Sequence, residues 1–208
     1  MQKIDLTGIK NIVFDLGGVI VTLDHNEVLR HFREFGIEDA EKWLNPYHQN
    51  GIFLELEAGR LSREEFYDAL REKTGKPVTN EAVDAGWLGF MKEVPVNKLQ
   101  LLETLRNRGY RLYLLSNTNP IVMEWAFSPD FSPEGKPVDA YFDKLYLSYQ
   151  MKCMKPDPVI FRKMIADSGM IPSETLYLDD GLANVQMGEQ LGFKTYQPVN
   201  GEDFCHLF

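Results

Sequence analysis

The chain has 208 residues, 44% of them hydrophobic, which is enough to bury a full core in one domain, or in one domain with a subsidiary insertion. Its net charge is −9 with no basic cluster, which argues against sequence-independent binding to a nucleic-acid backbone and points to a small partner; an anionic one would need a metal ion and a lysine to attract it locally. The two cysteines, Cys153 and Cys205, are too few for a disulfide framework, no apolar stretch approaches the ~20 residues of a membrane helix, and the first eight residues lack a signal-peptide core, so a cytoplasmic protein is expected.

In chain order, the apolar run Asn11-Ile-Val-Phe14 reads as a strand that ends at Asp15, and Gly17-Gly18 then allow the backbone to turn sharply beside a bound anion or metal. Residues 24–93 show no clear strand and several helical patterns. One covers 62–73, with Ser62 and Glu65 at capping-box spacing. This stretch reads as a helical insertion that leaves the sheet next to Asp15 and is placed to act as a lid. From residue 96, helix and strand alternate: helix 96–108, strand 110–115, helix 120–127, a surface loop at 129–137, strand 144–148, helix 157–167, strand 175–179, helix 182–191 and strand 193–197. Such alternation implies an α/β fold with a parallel sheet covered on both faces and ligands at the carboxyl ends of its strands.

Polar residues collect at those ends. Asp15 follows the first strand, Ser116-Asn117-Thr118-Asn119 the second, and Asp179-Asp180-Gly181 a later one; Lys155 stands at the expected start of a helix, where the dipole disfavours a positive charge. A carboxylate that attacks phosphorus needs a divalent cation to offset the repulsion between two anions, and donors to hold the oxygens in the transition state. One nucleophile, an acidic pair suited to magnesium, a hydroxyl and a lysine meet those needs. Taken singly, each segment has a plainer reading: Asp15 as a turn cap, the Ser116 segment and Asn184 as helix caps, Lys155 as a surface lysine, as Lys152 is expected to be. Cys153 reads as a small buried side chain rather than a nucleophile.

Phe14-Asp15-Leu16-Gly17-Gly18-Val19, Leu115-Ser116-Asn117-Thr118, Lys155-Pro156 and Leu178-Asp179-Asp180 through Asn184 together resemble the four motifs of the haloacid dehalogenase (HAD) superfamily, and the resemblance spans nearly the whole chain. With Leu56-Glu57-Ala58-Gly59 and Ser62, the chain is similar in particular to bacterial sugar-phosphate phosphatases such as glucose-1-phosphate phosphatase, and to the N-terminal phosphatase domain of soluble epoxide hydrolase. The resemblance implies a Rossmann-like core, residues 1–23 and 94–208, with a helical cap, 24–93, inserted after the first strand. It implies that Asp15 attacks the phosphate to give an aspartyl-phosphate which water hydrolyses. It also implies that magnesium is bound by Asp15, the Gly17 carbonyl and Asp180 with Asp179 in support, that Ser116 and Lys155 hold the phosphoryl oxygens, with Lys155 also pairing with Asp15, and that Asn117 contacts the phosphate or orients its surroundings. One position departs from the pattern. Where most phosphatases of the superfamily carry an acid/base aspartate two residues after the nucleophile, this chain has Gly17.

That departure leaves three accounts: a leaving group that needs little protonation, a substitute such as Asp24 or a cap residue, or a protein that binds a phospho-ligand with little turnover. The first two are favoured. The resulting expectation is a magnesium-dependent phosphatase acting on a small metabolite, a sugar phosphate above all, with a non-catalytic phospho-ligand binding protein and a dehalogenase as rivals. Of the cap residues Trp43, Tyr47, His48, Phe53, Glu57 and Arg60, the last two are singled out as selectors of the leaving group.

Overall fold

A computed structural model describes residues 3–44 and 49–208. Five parallel strands form one sheet in the order β5-β4-β1-β6-β7: β1 (Asn11–Phe14), β4 (Arg111–Ser116), β5 (Lys144–Leu147), β6 (Thr175–Leu178) and β7 (Lys194–Tyr196). The inner strands read as near-continuous apolar runs because both faces are buried. Ile12 and Phe14 enter one core with Leu102, Leu112 and Leu114, while Val13 enters the opposite one with Tyr113, Phe161 and Tyr177, as the two-residue period requires. Helices α6 (Val96–Asn107), α7 (Pro120–Ala126), α8 (Ser148–Met151), α9 (Pro158–Ser168) and α10 (Leu182–Gln190) connect the strands.

The chain builds from β1 to β4 and β5 on one side, then returns to place β6 and β7 on the other. Phe14 at the end of β1 is in register with both Leu114 and Leu178, so whatever follows these three strands is gathered in one crevice, at the point where the strand order reverses.

Between the short antiparallel strands β2 (Thr22–Leu23) and β3 (Met91–Glu93) lie α1 (His25–Glu34), α2 (Ala40–Trp43), α3 (Gly51–Glu57), α4 (Arg63–Thr74) and α5 (Asn80–Leu88). They share a separate core in which Phe53 packs edge-on to Phe32 and Phe66, with ring centroids 4.9 and 5.3 Å away, and Trp87 lies 5.6 Å from Phe53. Ile121 and Val122 of α7 complete this core and so seat the helices on the sheet layer. The Ser62–Glu65 capping box forms as expected at the start of α4, at 3.2 and 2.7 Å.

Two expectations fail here. The stretch 24–93 does contain a strand, Met91–Glu93, too short for its three residues to show alternation. The proline-rich 129–137 is not wholly surface: it holds a 3₁₀ turn, Pro129–Phe131, whose Phe131 is buried against Trp125.

The end of α3 is fastened to the sheet layer. Ser148 Oγ donates to the Glu57 carbonyl (2.6 Å) and accepts from the Thr118 N–H (3.0 Å), and Lys152, exposed as a surface lysine is expected to be, donates through Nζ to the Gly59 carbonyl. Gly59 has φ +65°, and a Cβ there would stand 2.0 Å from the Tyr149 carbonyl oxygen. Gly59→Ala is therefore expected to cost more than the about 1–2 kcal/mol of a left-handed alanine, measured as a lower urea midpoint.

Candidate active site

Asp15 is the first residue past β1, and its N–H donates to the Leu178 carbonyl (2.9 Å), which holds it against the end of β6. One carboxylate oxygen accepts from the Leu16 N–H (2.7 Å); the other lies 3.0 Å from Lys155 Nζ. Lys155 is fully buried. Its ammonium also reaches Asp179 Oδ2 at 2.6 Å and the Leu115 carbonyl at 2.9 Å, so all three of its hydrogens are engaged. Burial opposes its charge, but Asp15 and Asp179 outweigh that and hold its pKa above the ordinary value.

Asp179 is saturated. Oδ2 accepts from Lys155 and the Tyr177 hydroxyl, and Oδ1 from the Gly181 N–H (2.8 Å) and Asn184 Nδ2 (2.9 Å). Tyr177 was missed by the sequence reading, although residues two apart in a strand share a face and this signal was available.

The acidic groups outnumber their cation. Oxygens of Asp15, Asp179 and Asp180 lie within 4.8 Å of one another, and among the described residues Lys155 is the one cation paired to them. Burial, and next the neighbouring Asp179, push the Asp180 carboxyl up to about 6; burial above all, reinforced by Asp179 and Asp180, raises Asp15 against the pull of Lys155. Such a cluster fits a divalent cation with hard oxygen ligands. Asp179 has no oxygen left for it, which leaves Asp15 and Asp180 as the carboxylates able to hold the ion. Gly18, at φ +74°, packs directly on Asp180: a Cβ there would lie 2.2 Å from Oδ2, so only glycine lets the loop after Asp15 close over that carboxylate.

Asp15, Gly17, Ser116, Asn117, Lys155, Asp180 and Glu57 line one pocket, together with Leu23, Gln49, Trp87, Phe90, Thr118, Asn119 and Asn184. Asn119 caps α7 through Oδ1, accepting from Ile121 N and Val122 N at 3.0 and 3.1 Å.

The chain matches the haloacid dehalogenase-like hydrolase family over residues 9–192. It belongs to that family. It is 54% identical over 196 residues to a D-ribitol-5-phosphate phosphatase of Bacteroides thetaiotaomicron, covering 94% of this chain and 95% of that one. A HAD-like hydrolase structure from Porphyromonas gingivalis is 50% identical with a TM-score of 0.90, covering 94% of each chain. A HAD enzyme from B. thetaiotaomicron, solved as an alanine variant with magnesium and inorganic phosphate, is 41% identical with a TM-score of 0.90, covering 96% of this chain and 98% of that one.

Within this HAD chain several expected residues sit elsewhere than the sequence suggested. Lys155 is not at a helix start: α9 begins at Pro158, capped by Asp157, and carboxylates rather than a helix end surround the lysine. The Asn117 side chain clamps the Lys155 peptide, donating to its carbonyl (2.9 Å) and accepting from its N–H (2.8 Å), which is the second of its two expected roles, orienting the surroundings. Arg60 is half exposed, pairs with Glu55 at 2.5 Å and does not line the pocket. Asp24 is spent as the cap of α1, accepting from Asn26 N and Glu27 N at 3.1 Å each. Trp43 bonds Asp39 and Phe53 is core, while Tyr47 and His48 lie outside the described residues. Cys153 is a free thiol away from the pocket. Among the described residues no helix is long and apolar enough to cross a membrane.

Two outcomes follow from this geometry. Arg60→Ala should leave kcat/KM within about twofold of wild type, because its exposed ion pair with Glu55 is of the kind that contributes little. The raised Asp180 carboxyl, about 6 when folded against an ordinary 3.8, binds a proton in the folded chain that the unfolded chain has already lost; metal-free stability therefore falls as pH rises from about 4 to 6. A cation competes with that proton, so the rise in Tm on adding magnesium should be larger at pH 7 than at pH 4.5, as read by scanning calorimetry.

Proposed function

We propose that this chain is a magnesium-dependent phosphatase that hydrolyses a small phosphorylated sugar or alditol through an aspartyl-phosphate on Asp15. The observation that carries the reading is the Asp15 carboxylate: it opens into a pocket, is oriented by the Leu16 N–H and Lys155, and stands beside a second carboxylate free for a cation. The relative at 54% identity is a D-ribitol-5-phosphate phosphatase, and a HAD neighbour at 41% identity was solved with magnesium and phosphate, which supports both the reaction and the substrate class.

Asp15 and Asp180, with the Gly17 carbonyl, would hold the magnesium ion, which would supply charge neutralisation for the incoming phosphate. Asp15 is fixed at the strand end for in-line attack. Ser116, buried at the end of β4, offers its hydroxyl to a phosphoryl oxygen, and Asn117 keeps the Lys155 backbone in place. Lys155 neutralises Asp15 and turns to the phosphoryl oxygens by exchanging one of its present acceptors. Asp179 acts through Lys155 and Asn184. The helices of 24–93 form the cap: Glu57, Trp87 and Phe90 line the side of the pocket they cover, where the leaving group would lie. The retained acidic pair disfavours a metal-free dehalogenase, which has no use for concentrated negative charge there.

Phosphate release from D-ribitol 5-phosphate and a panel of sugar phosphates, with and without magnesium, tests the reading. Release is expected with magnesium and should fall below detection in Asp15→Asn, which keeps the shape and removes the nucleophile. Wild-type protein that binds these esters without turnover would point instead to a phospho-ligand binding protein.

A further inference from the structure

An alkyl phosphate releases a strongly basic alkoxide, so its hydrolysis gains from a proton donor beside the leaving oxygen. The loop after Asp15 does not provide one. Residue 17 is glycine, and the direction a side chain would take is filled by Leu23, whose Cδ1 would lie 3.1 Å from a Cβ there. Among the described residues lining the pocket, the acidic and basic side chains are Asp15, Lys155, Asp180 and Glu57. Asp15 is the proposed nucleophile, Asp180 is a proposed metal ligand, and Lys155 has all three hydrogens engaged.

Glu57 is different. It ends α3, is buried, and lines the same pocket as Asp15 from the side of the cap helices. Its carboxyl has no hydrogen-bond partner among the described residues, although its backbone is held firmly by Ser148 and, two residues on, by the Lys152–Gly59 bond. A chain that fastens this peptide to the sheet layer, with no partner for the carboxyl among the described residues, keeps an acid at a fixed place in the nucleophile's pocket.

We infer that Glu57 is the catalytic acid and base of this site, donating its proton to the leaving alkoxide and then taking one from the attacking water. The inference rests on the phosphatase reading above. In the first half-reaction an Asp15 oxygen bonds to phosphorus, the ester P–O bond breaks, and the departing oxygen takes the Glu57 proton to leave as the alcohol. In the second, water bonds to phosphorus as its proton passes to the Glu57 carboxylate, and the P–O bond to Asp15 breaks. This releases inorganic phosphate and restores both carboxyl groups. Burial first, and then the facing Asp15, raise the Glu57 carboxyl to about 8 against the opposing pull of Lys155, so it carries its proton at neutral pH.

The test compares wild type with Glu57→Gln on D-ribitol 5-phosphate, whose leaving group needs the proton, and on p-nitrophenyl phosphate, whose leaving group does not. For the alkyl ester kcat/KM, which reports departure of the leaving group and not the later hydrolysis that both esters share, should fall about 10²–10⁴-fold, and its loss on the aryl ester should be far smaller. An equal loss of kcat/KM on both esters, or a change confined to KM, would overturn the inference and leave Glu57 a binding residue. If the wild type takes only the alkyl ester, the pH profile of kcat/KM decides: an alkaline limb lost in Glu57→Gln supports the inference, and one that persists overturns it. Should Glu57→Gln not fold by its thermal midpoint, Glu57→Asp, which draws the carboxyl back by one methylene, enters the same comparison. Wild type inactive on every ester would sink the phosphatase reading itself, and the inference with it, whereas activity abolished by Asp15→Asn but untouched by Glu57→Gln sinks the inference alone.

Discussion

The Lys155 ammonium, buried between Asp15 and Asp179, is the interaction on which the rest of the site depends. Removing a charge from water is costly, and only close, well-directed partners offset that cost. Here the lysine has three, at 2.6 to 3.0 Å, and each lies at the end of a different inner strand: Asp15 after β1, Leu115 in β4 and Asp179 after β6. One side chain thereby ties the three strand ends together. The Asn117 clamp fixes the lysine's own peptide, and Tyr177, Gly181 and Asn184 saturate Asp179, so the charge array is set by the fold before any ligand arrives.

The array is unbalanced by design of its parts. One ammonium faces three carboxylates, and the surplus falls on Asp15 and Asp180, whose pKa values are raised by burial above all and then by the neighbouring carboxylates. A divalent cation relieves that surplus, and a phosphate dianion is attracted only once it has done so. An acidic protein, −9 overall, can in this way present a locally anion-receptive site.

The helices of 24–93 bear on the chemistry through a small, rigid point of contact. Their aromatic core is their own, but α7 lends it Ile121 and Val122, and the turn after α3 is fastened to the residues that follow β5. Glu57 thus belongs to the inserted helices by sequence and to the strand-end crevice by position. Glu57 lines the pocket beside Asp15, while Trp87 and Phe90 supply an apolar wall.

Much was legible in the sequence because it is written locally. Apolar runs ended by Asp15, Ser116 and Asp179, helices in between, and the capping box at Ser62 follow from short-range periodicity and hydrogen bonding, and the structure has them within a residue or two. Two-residue and three-residue strands carry no period, so β2 and β3 were invisible. Partner choice was equally so: Arg60 with Glu55, Asp24 as a cap, Lys152 on the Gly59 carbonyl and Asn117 on the Lys155 peptide all depend on which direction a side chain leaves its backbone. The sequence by itself determined the parallel α/β layout and the placing of Asp15, Ser116 and Asp179 at strand ends, since both follow from local pattern. Only the tertiary structure decided that Asp179 is consumed by four donors while Asp180 is left open, and that Glu57, 42 positions beyond Asp15 in the numbering, shares its pocket. Hydrogen-bond saturation and desolvation are properties of the packed chain in three dimensions, and no local pattern encodes them.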